Sequence, residues 1–262
     1  MQIPAGLIIN GFDVFLLVFV RMTGLFVVAP IFGRKNIPTY FKIGFSFFIA
    51  LILVNTTAVQ MAQYDDNLLS YAMLIAKEFI VGLSIGFVAY LVFTAIYIAG
   101  EVIDMQIGFG IVNVLDPVSN IQVPVTSNVY FIISMLLFLS INGHHMLIRT
   151  LYDSFGTLPI GSAVFNTGLV NGLIDLFGTV FATGIKIAGP ILATILITDI
   201  ALGTISKMVP QINIFVIGMP LKIGIGIIIL IITMPMFIAV METIFRLMNT
   251  GVLDYIKELG QG

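Results

Sequence analysis

Residues 79–100 read FIVGLSIGFVAYLVFTAIYIAG, without one Asp, Glu, Lys or Arg. A helix that crosses the hydrocarbon of a bilayer needs about 20 mainly apolar residues, and this run supplies them. Three further runs carry no charge: Ile43 to Tyr64, Val118 to Ile148 and Ile223 to Met241. Two more carry one each, Val14 to Phe32 around Arg21 and Leu176 to Thr198 around Lys186. Together they predict six spans, at 12–30, 41–61, 70–100, 121–141, 173–203 and 214–242. Backbone groups in lipid must be satisfied internally, so the spans are helices or a closed barrel. The apolar runs are continuous and do not alternate with period two, which excludes the barrel pattern. The predicted fold class is an all-α polytopic membrane protein.

Composition agrees. Charged residues make up 9% and hydrophobic residues 59% of the 262-residue chain, where a soluble domain carries roughly 25% charge. Mean hydropathy is +1.14. The net charge of −2, with Arg34–Lys35 as the longest basic cluster, argues against nucleic acid as a partner. Cysteine is absent, which removes disulfide and thiol chemistry. No basic leader precedes the first apolar run, so that run is expected to stay as a membrane anchor. The basic first loop (Arg34, Lys35, with Lys42 just after) against Asp65 and Asp66 in the second places the N-terminus outside.

Proline and glycine punctuate the runs. Pro30, Pro190, Pro220 and Pro235 lie at or inside them, where each removes a donor and tends to kink a helix. Gly82 and Gly86 share a helix face with Ala89, a spacing that lets another backbone approach closely. Spans 70–100 and 173–203 exceed the length a bilayer demands, which leaves tilt or helix outside the hydrocarbon.

Little in the chain suits catalysis. His144 and His145 are adjacent and so point about 100° apart on a helix, unlike a metal-binding i, i+4 pair. No phosphate-cradling glycine loop is present, and the Gly-x-Ser-x-Gly match at Gly82-Leu83-Ser84-Ile85-Gly86 lies inside an uncharged apolar run and not at a strand-to-helix turn. No enzyme activity, cofactor or metal is expected. Charges inside the spans are more informative. A Lys or Arg at a bilayer centre costs about 2.5–3.5 kcal/mol and should face protein or water. Arg21 and Lys186 sit near mid-span, with Asp13, Glu78, Asp175 and Asp199 nearer span ends. They fit either an ion path or pairing between helices or subunits. Asp13 and Arg21, eight residues apart and about 12 Å along a helix, are not expected to pair.

The stretch from Ala99 to Asn128, AGEVIDMQIGFGIVNVLDPVSNIQVPVTSN, differs from the rest. Its carboxylates Glu101, Asp104 and Asp116 bracket a glycine-flanked apolar segment that ends at Asp116-Pro117, a chain-breaking dipeptide. Exposed to water, such a segment would promote aggregation. It must pack against its own helices, against a partner, or across a pore.

The pieces now in hand resemble, in order, the FliR family, also called SctT or SpaR in virulence secretion systems. They are Arg21-x-x-Gly24, Ala29-Pro30-x-x-Gly33-Arg34-x-x-Ile37-Pro38, Glu78-x-x-x-Gly82-x-x-x-Gly86-Phe87 and Ala99-Gly100-Glu101-x-x-Asp104-x-Gln106-x-Gly108. Asp116-Pro117, Gly143-His144 and Ser154-Phe155 follow, then Ala201-Leu202-Gly203 and Pro210-Gln211-x-Asn213-x-Phe215-x-x-Gly218-x-Pro220-Leu221-Lys222. The set covers about residues 10 to 245. Lys207 stands where the family more often carries Arg; it keeps the charge and loses the bidentate fork.

The resemblance implies a structural subunit of the flagellar export gate in the bacterial inner membrane, assembled with FliP- and FliQ-like chains. FlhB-like and FlhA-like subunits are further partners, and unfolded flagellar proteins are the substrate. It implies a FliP-like part at 1–165 followed by a FliQ-like hairpin and C-terminal tail at 166–262. It also implies a pore plug loop made of Gly108, Phe109, Gly110, Ile111, Val112, Asn113, Val114, Leu115, Asp116 and Pro117. Arg21, Glu78, Glu101, Asp104, Gln106, Lys186, Asp199, Lys207 and Gln211 are then the intramembrane or inter-subunit polar contacts. The alternative reading is a secondary transporter of a small solute, whose broken helices and buried charges look similar. No inverted repeat supports it.

Overall fold

In the computed structural model, residues 5–34, 36–56, 67–109, 124–211 and 213–260 are described. They form seven helices: α1 (Ala5–Val28), α2 (Thr39–Thr56), α3 (Leu68–Ile107), α4 (Val125–Ser140), α5 (Gly143–Thr157), α6 (Thr167–Met208) and α7 (Ile214–Gly260). No strand occurs among the described residues. Five of these, α1, α2, α3, α6 and α7, are long and apolar enough to cross a membrane; α4 and α5, bent by 65° at the break between them, bring the number to six if counted as one span. The protein is an all-α, multi-pass membrane protein.

The helices depart from the sequence reading in three respects beyond small shifts of their ends. First, the fourth span, expected at 121–141, is α4, and a further helix that the reading did not include, α5, follows it after a break. Asn142 takes a left-handed backbone there (φ 58°), which Asn-Gly sequences tolerate and a helix does not continue through. Second, α7 does not stop at 242. Glu242 and Arg246 end the uncharged run but not the helix, because both side chains are exposed. The buried Met241, Ile244, Phe245, Met248, Val252, Tyr255, Ile256 and Leu259 continue the helical stripe at steps of three and four. Third, Pro190, Pro220 and Pro235 lie inside helices that carry on through them, whereas Pro30 falls just past the end of α1.

The chain divides into two compact units. The first comprises residues 1–92, 141–177 and 246–262. Here α1 packs on α2 through rings: Phe15 meets Phe47 at 5.2 Å and Phe26 meets Phe45 at 5.2 Å, with Phe32 of the connecting turn 4.7 Å from Phe26. Against α3 the same helix uses small residues. Gly82 faces the Arg21 carbonyl so closely that a Cβ would fall on it. A Cβ on Gly24 would stand 2.6 Å from the Phe79 carbonyl oxygen, and one on Gly86 2.8 Å from that of Leu25. The Gly82/Gly86 spacing is therefore a backbone-to-backbone seam. The end of α7 closes the unit, with the Val164 N–H bonded to the Leu259 carbonyl at 2.9 Å.

The second unit comprises residues 93–140 and 178–245. Its core is aromatic. Phe93 touches Phe138 at 5.3 Å and Phe245 at 5.9 Å, and Tyr130 stacks on Phe237 at 4.0 Å. A Cβ on Gly184 would lie 2.9 Å from the Ala95 carbonyl oxygen, so α6 also approaches α3 through a missing side chain.

Gly82→Ala should therefore destabilise the purified chain in detergent by about 1–3 kcal/mol, the usual cost of overpacking. Gly44→Ala, with nothing within 4 Å of the added methyl, should leave the thermal midpoint unchanged or raise it.

Candidate functional site

Polar groups inside apolar helices need partners, and the described residues provide two such clusters, one in each unit. The first is built on Arg21, at 0% exposure on α1. Its Nε donates to Glu78 Oε2 of α3 at 2.5 Å. Its Nη1 donates to the Leu158 carbonyl at 3.1 Å and reaches Ser154 Oγ at 3.5 Å. Phe155 lies under the guanidinium, 4.4 Å from ring centroid to Cζ, a cation–π contact strengthened by burial. Nη2 has no hydrogen-bond partner among the described residues. Glu78, also at 0% exposure, uses its other oxygen to accept the Gly161 N–H at 2.9 Å. Lys77 Nζ then donates to the Gly161 carbonyl at 2.7 Å. Gly161 sits in the turn after α5 with φ 85°, a conformation that glycine adopts without the Cβ clash.

One ion pair thus ties α1, α3 and the end of α5 together. An isolated buried charge costs far more than a paired one, so each partner requires the other. For Arg21 the structure places a partner, Glu78, within the chain.

The second cluster centres on Asp199 of α6. Lys222 Nζ of α7 lies 2.8 Å from Asp199 Oδ1 and 3.0 Å from Oδ2, and Gln106 Nε2 of α3 reaches Oδ2 at 3.5 Å. The pair is part-exposed, 23% for Lys222 and 38% for Asp199. Asp199 and Gln106 are foreseen in the sequence; Lys222 is legible there only as the end of the Pro220-Leu221-Lys222 motif. Nothing in the sequence marks it as the counter-charge.

Asp104 belongs to the same unit. Burial leaves it 5% exposed, and its two carboxylate oxygens accept the Thr126 N–H at 3.1 and 3.0 Å. Thr126 lies in the first turn of α4, where backbone N–H groups have no helical partner. The end of α3 is closed by Gly108 (φ 101°), with the N–H groups of Gly108 and Phe109 both directed to the Asp104 carbonyl at 3.1 and 3.0 Å, a left-handed helix stop.

The remaining sequence-derived residues are not gathered into a site. Glu101, Lys186, Lys207 and Gln211 are exposed on the chain, with no ion pair among the described residues. Of the loop at 108–117, Gly108 and Phe109 are half-buried, and Gly110 to Pro117 lie outside the described residues. Among the described residues no group of three or more metal-ligating side chains could hold a metal ion. Ser154, Phe155, Leu158 and Gly161 were not foreseen as partners of Arg21 and Glu78. Ser154-Phe155 carries the only sequence signal, as a family motif without an assigned role.

Single substitutions in the buried pair should cost much more than their combination. Glu78→Ala or Arg21→Ala leaves one charge without its partner, a loss of about 3–5 kcal/mol. The double variant Arg21→Met with Glu78→Leu should recover much of it. Thermal midpoints of the four purified forms check this, and additive losses would contradict it.

Comparison with known proteins bears on the whole chain. The sequence model of the family described as "Bacterial export proteins, family 1" matches residues 12–248. The flagellar biosynthetic protein FliR of Bacillus subtilis (strain 168) is 37% identical over 92% of this chain and 93% of its own length. FliR of Escherichia coli (strain K12) is 30% identical over 99% and 98%, and FliR of Aquifex aeolicus (strain VF5) is 32% identical over 88% and 89%. With matches that run nearly end to end on both sides, the chain belongs to family 1 of the bacterial export proteins.

Proposed function

We propose that this protein is a structural subunit of the flagellar protein-export gate in the bacterial inner membrane. With FliP- and FliQ-like subunits it forms the channel that unfolded flagellar proteins cross, alongside FlhB-like and FlhA-like chains of the apparatus. Residues 1–165 serve as the FliP-like part and 166–262 as the FliQ-like hairpin with its C-terminal extension. The stretch from Gly108 to Pro117 closes the resting pore.

The observation that carries this reading is the unburied apolar length of the long helices. At 1.5 Å per residue, α3, α6 and α7 run for about 60–70 Å, against a hydrocarbon thickness of about 30 Å. The most apolar stretch of α7 is only 11% buried within the chain, compared with 61% for α3. Val216, Leu221, Ile228, Ile232 and Ile238 are all exposed along it. Lipid covers about half of such a length, and the remainder calls for other protein chains. A helical assembly with homologous helical subunits supplies that cover. A closing loop with apolar bulk and flanking glycines also suits a channel that must pass chains of any sequence, because it offers adaptable contact and few fixed charges.

Expression with the genomic neighbours, gentle solubilisation and mass spectrometry of what co-purifies tests the assembly. The expected result is one stable particle containing FliP- and FliQ-like chains. Purification as a stable homo-oligomer would overturn it and favour solute transport through a homomeric bundle. In the assembled particle, deletion of Gly110–Val114 should raise ion leak across a bilayer; a deletion particle as tight as the parent would remove the closing role from this stretch.

A further inference from the structure

We propose that Asp104 is a positioning residue that fixes both the point where the chain leaves α3 and the point where it enters α4. The role rests on the reading of residues 108–117 as the closing element.

Three features of Asp104 lead to it. It occupies the last turn of α3, where its negative charge opposes the carbonyl end of its own helix dipole. For α3 alone this is an unfavourable place for a carboxylate. The same charge lies at the amino end of α4, where the dipole and the free N–H groups favour it, and both oxygens face the Thr126 N–H. Meanwhile the Asp104 carbonyl takes the N–H groups of Gly108 and Phe109 that end α3. A single residue therefore holds the exit with its main chain and the re-entry with its side chain.

The surrounding face of α3 is shaped for the same purpose. Tyr97, Gly100 and Asp104 recur at steps of three and four, on one side of the helix. The Tyr97 carbonyl accepts Ser127 Oγ–H at 3.2 Å. Gly100 is pressed so closely against Ser127 that no Cβ could be added. The first turn of α4 is thus seated at three levels of α3, with the charged contact nearest the chain exit. Release of that contact leaves the hydroxyl bond and the seat in place but frees the end nearest residue 108.

The test uses the complete particle with FliP- and FliQ-like subunits, carrying Asp104→Ala or Asp104→Asn. Two quantities are measured: hydrogen exchange of the peptide covering 124–131, and ion leak across a bilayer. In Asp104→Ala, exchange at the first turn of α4 should rise about five-fold, the size carried by loss of one helix cap, and leak should rise with it. Asp104→Asn keeps an acceptor oxygen without the charge, so both effects should be intermediate. Unchanged exchange in Asp104→Ala overturns the inference. So does faster exchange with parental leak, if deletion of Gly110–Val114 leaks; in that case the closing reading survives and only the role of Asp104 falls. If neither the substitution nor the deletion leaks, the closing reading fails and takes the inference with it. Should Asp104→Ala yield no particle, Asp104→Asn carries the same comparison.

Discussion

The guanidinium of Arg21 lies at zero exposure among apolar helices, and much of the first unit is arranged around that fact. A charge so placed demands an opposite charge and further acceptors at short range. Glu78 can supply the charge only if α1 and α3 approach closely. The glycines at 24, 82 and 86 make that approach feasible by leaving backbone against backbone. The further partners come from the end of α5 and the turn after it, where the Leu158 carbonyl accepts from the guanidinium and the left-handed Gly161 donates its N–H to the carboxylate. Pairing of this kind contributes less to net stability than its partners' mutual dependence suggests. Its contribution is to register, since the observed sliding of α1 along α3 places both charges and three glycines together.

The fold was legible because hydrocarbon imposes a simple rule on sequence. Runs such as 79–100 and 223–241 exclude charge over the length of a bilayer, and helix is the form that satisfies their backbone. The same rule hid what lies beyond it. Reading α7 as finished at 242 treated Glu242 as a boundary, although a charged side chain on an exposed face does not interrupt a helix. The break after Ser140 falls where the reading ended its fourth span, at 141, and Asn142-Gly143 is its local signal, although the uncharged run itself continues to 148.

The candidate sites were legible one residue at a time and not as pairs. Arg21, Glu78, Asp104, Gln106 and Asp199 stand out because ionisable and amide groups are costly in such helices. Their partners lie 57, 23 and 22 residues away in three of the contacts, and no helical periodicity relates positions on different elements. Thr126 and Gly161 act through backbone N–H groups, which every residue but proline carries, so their sequence identity could not have named them. The Gly82/Gly86 spacing is the exception: glycine's lack of a side chain is itself the functional property, and the sequence displays it directly.

The prolines inside α6 and α7 have a consequence for neighbouring chains. Each lacks the N–H that would have met the carbonyl four residues earlier, so the prolines give the carbonyls of Lys186, Val216 and Ile231 no i→i−4 donor. All three of these residues are exposed on this chain. In hydrocarbon an unanswered carbonyl is costly, while a hydroxyl or amide from an adjacent helix would answer it at no loss to its own backbone. An amide or hydroxyl on a neighbouring helix at the height of one of these prolines would meet a carbonyl that its own helix does not answer, and so favour one register of docking over others.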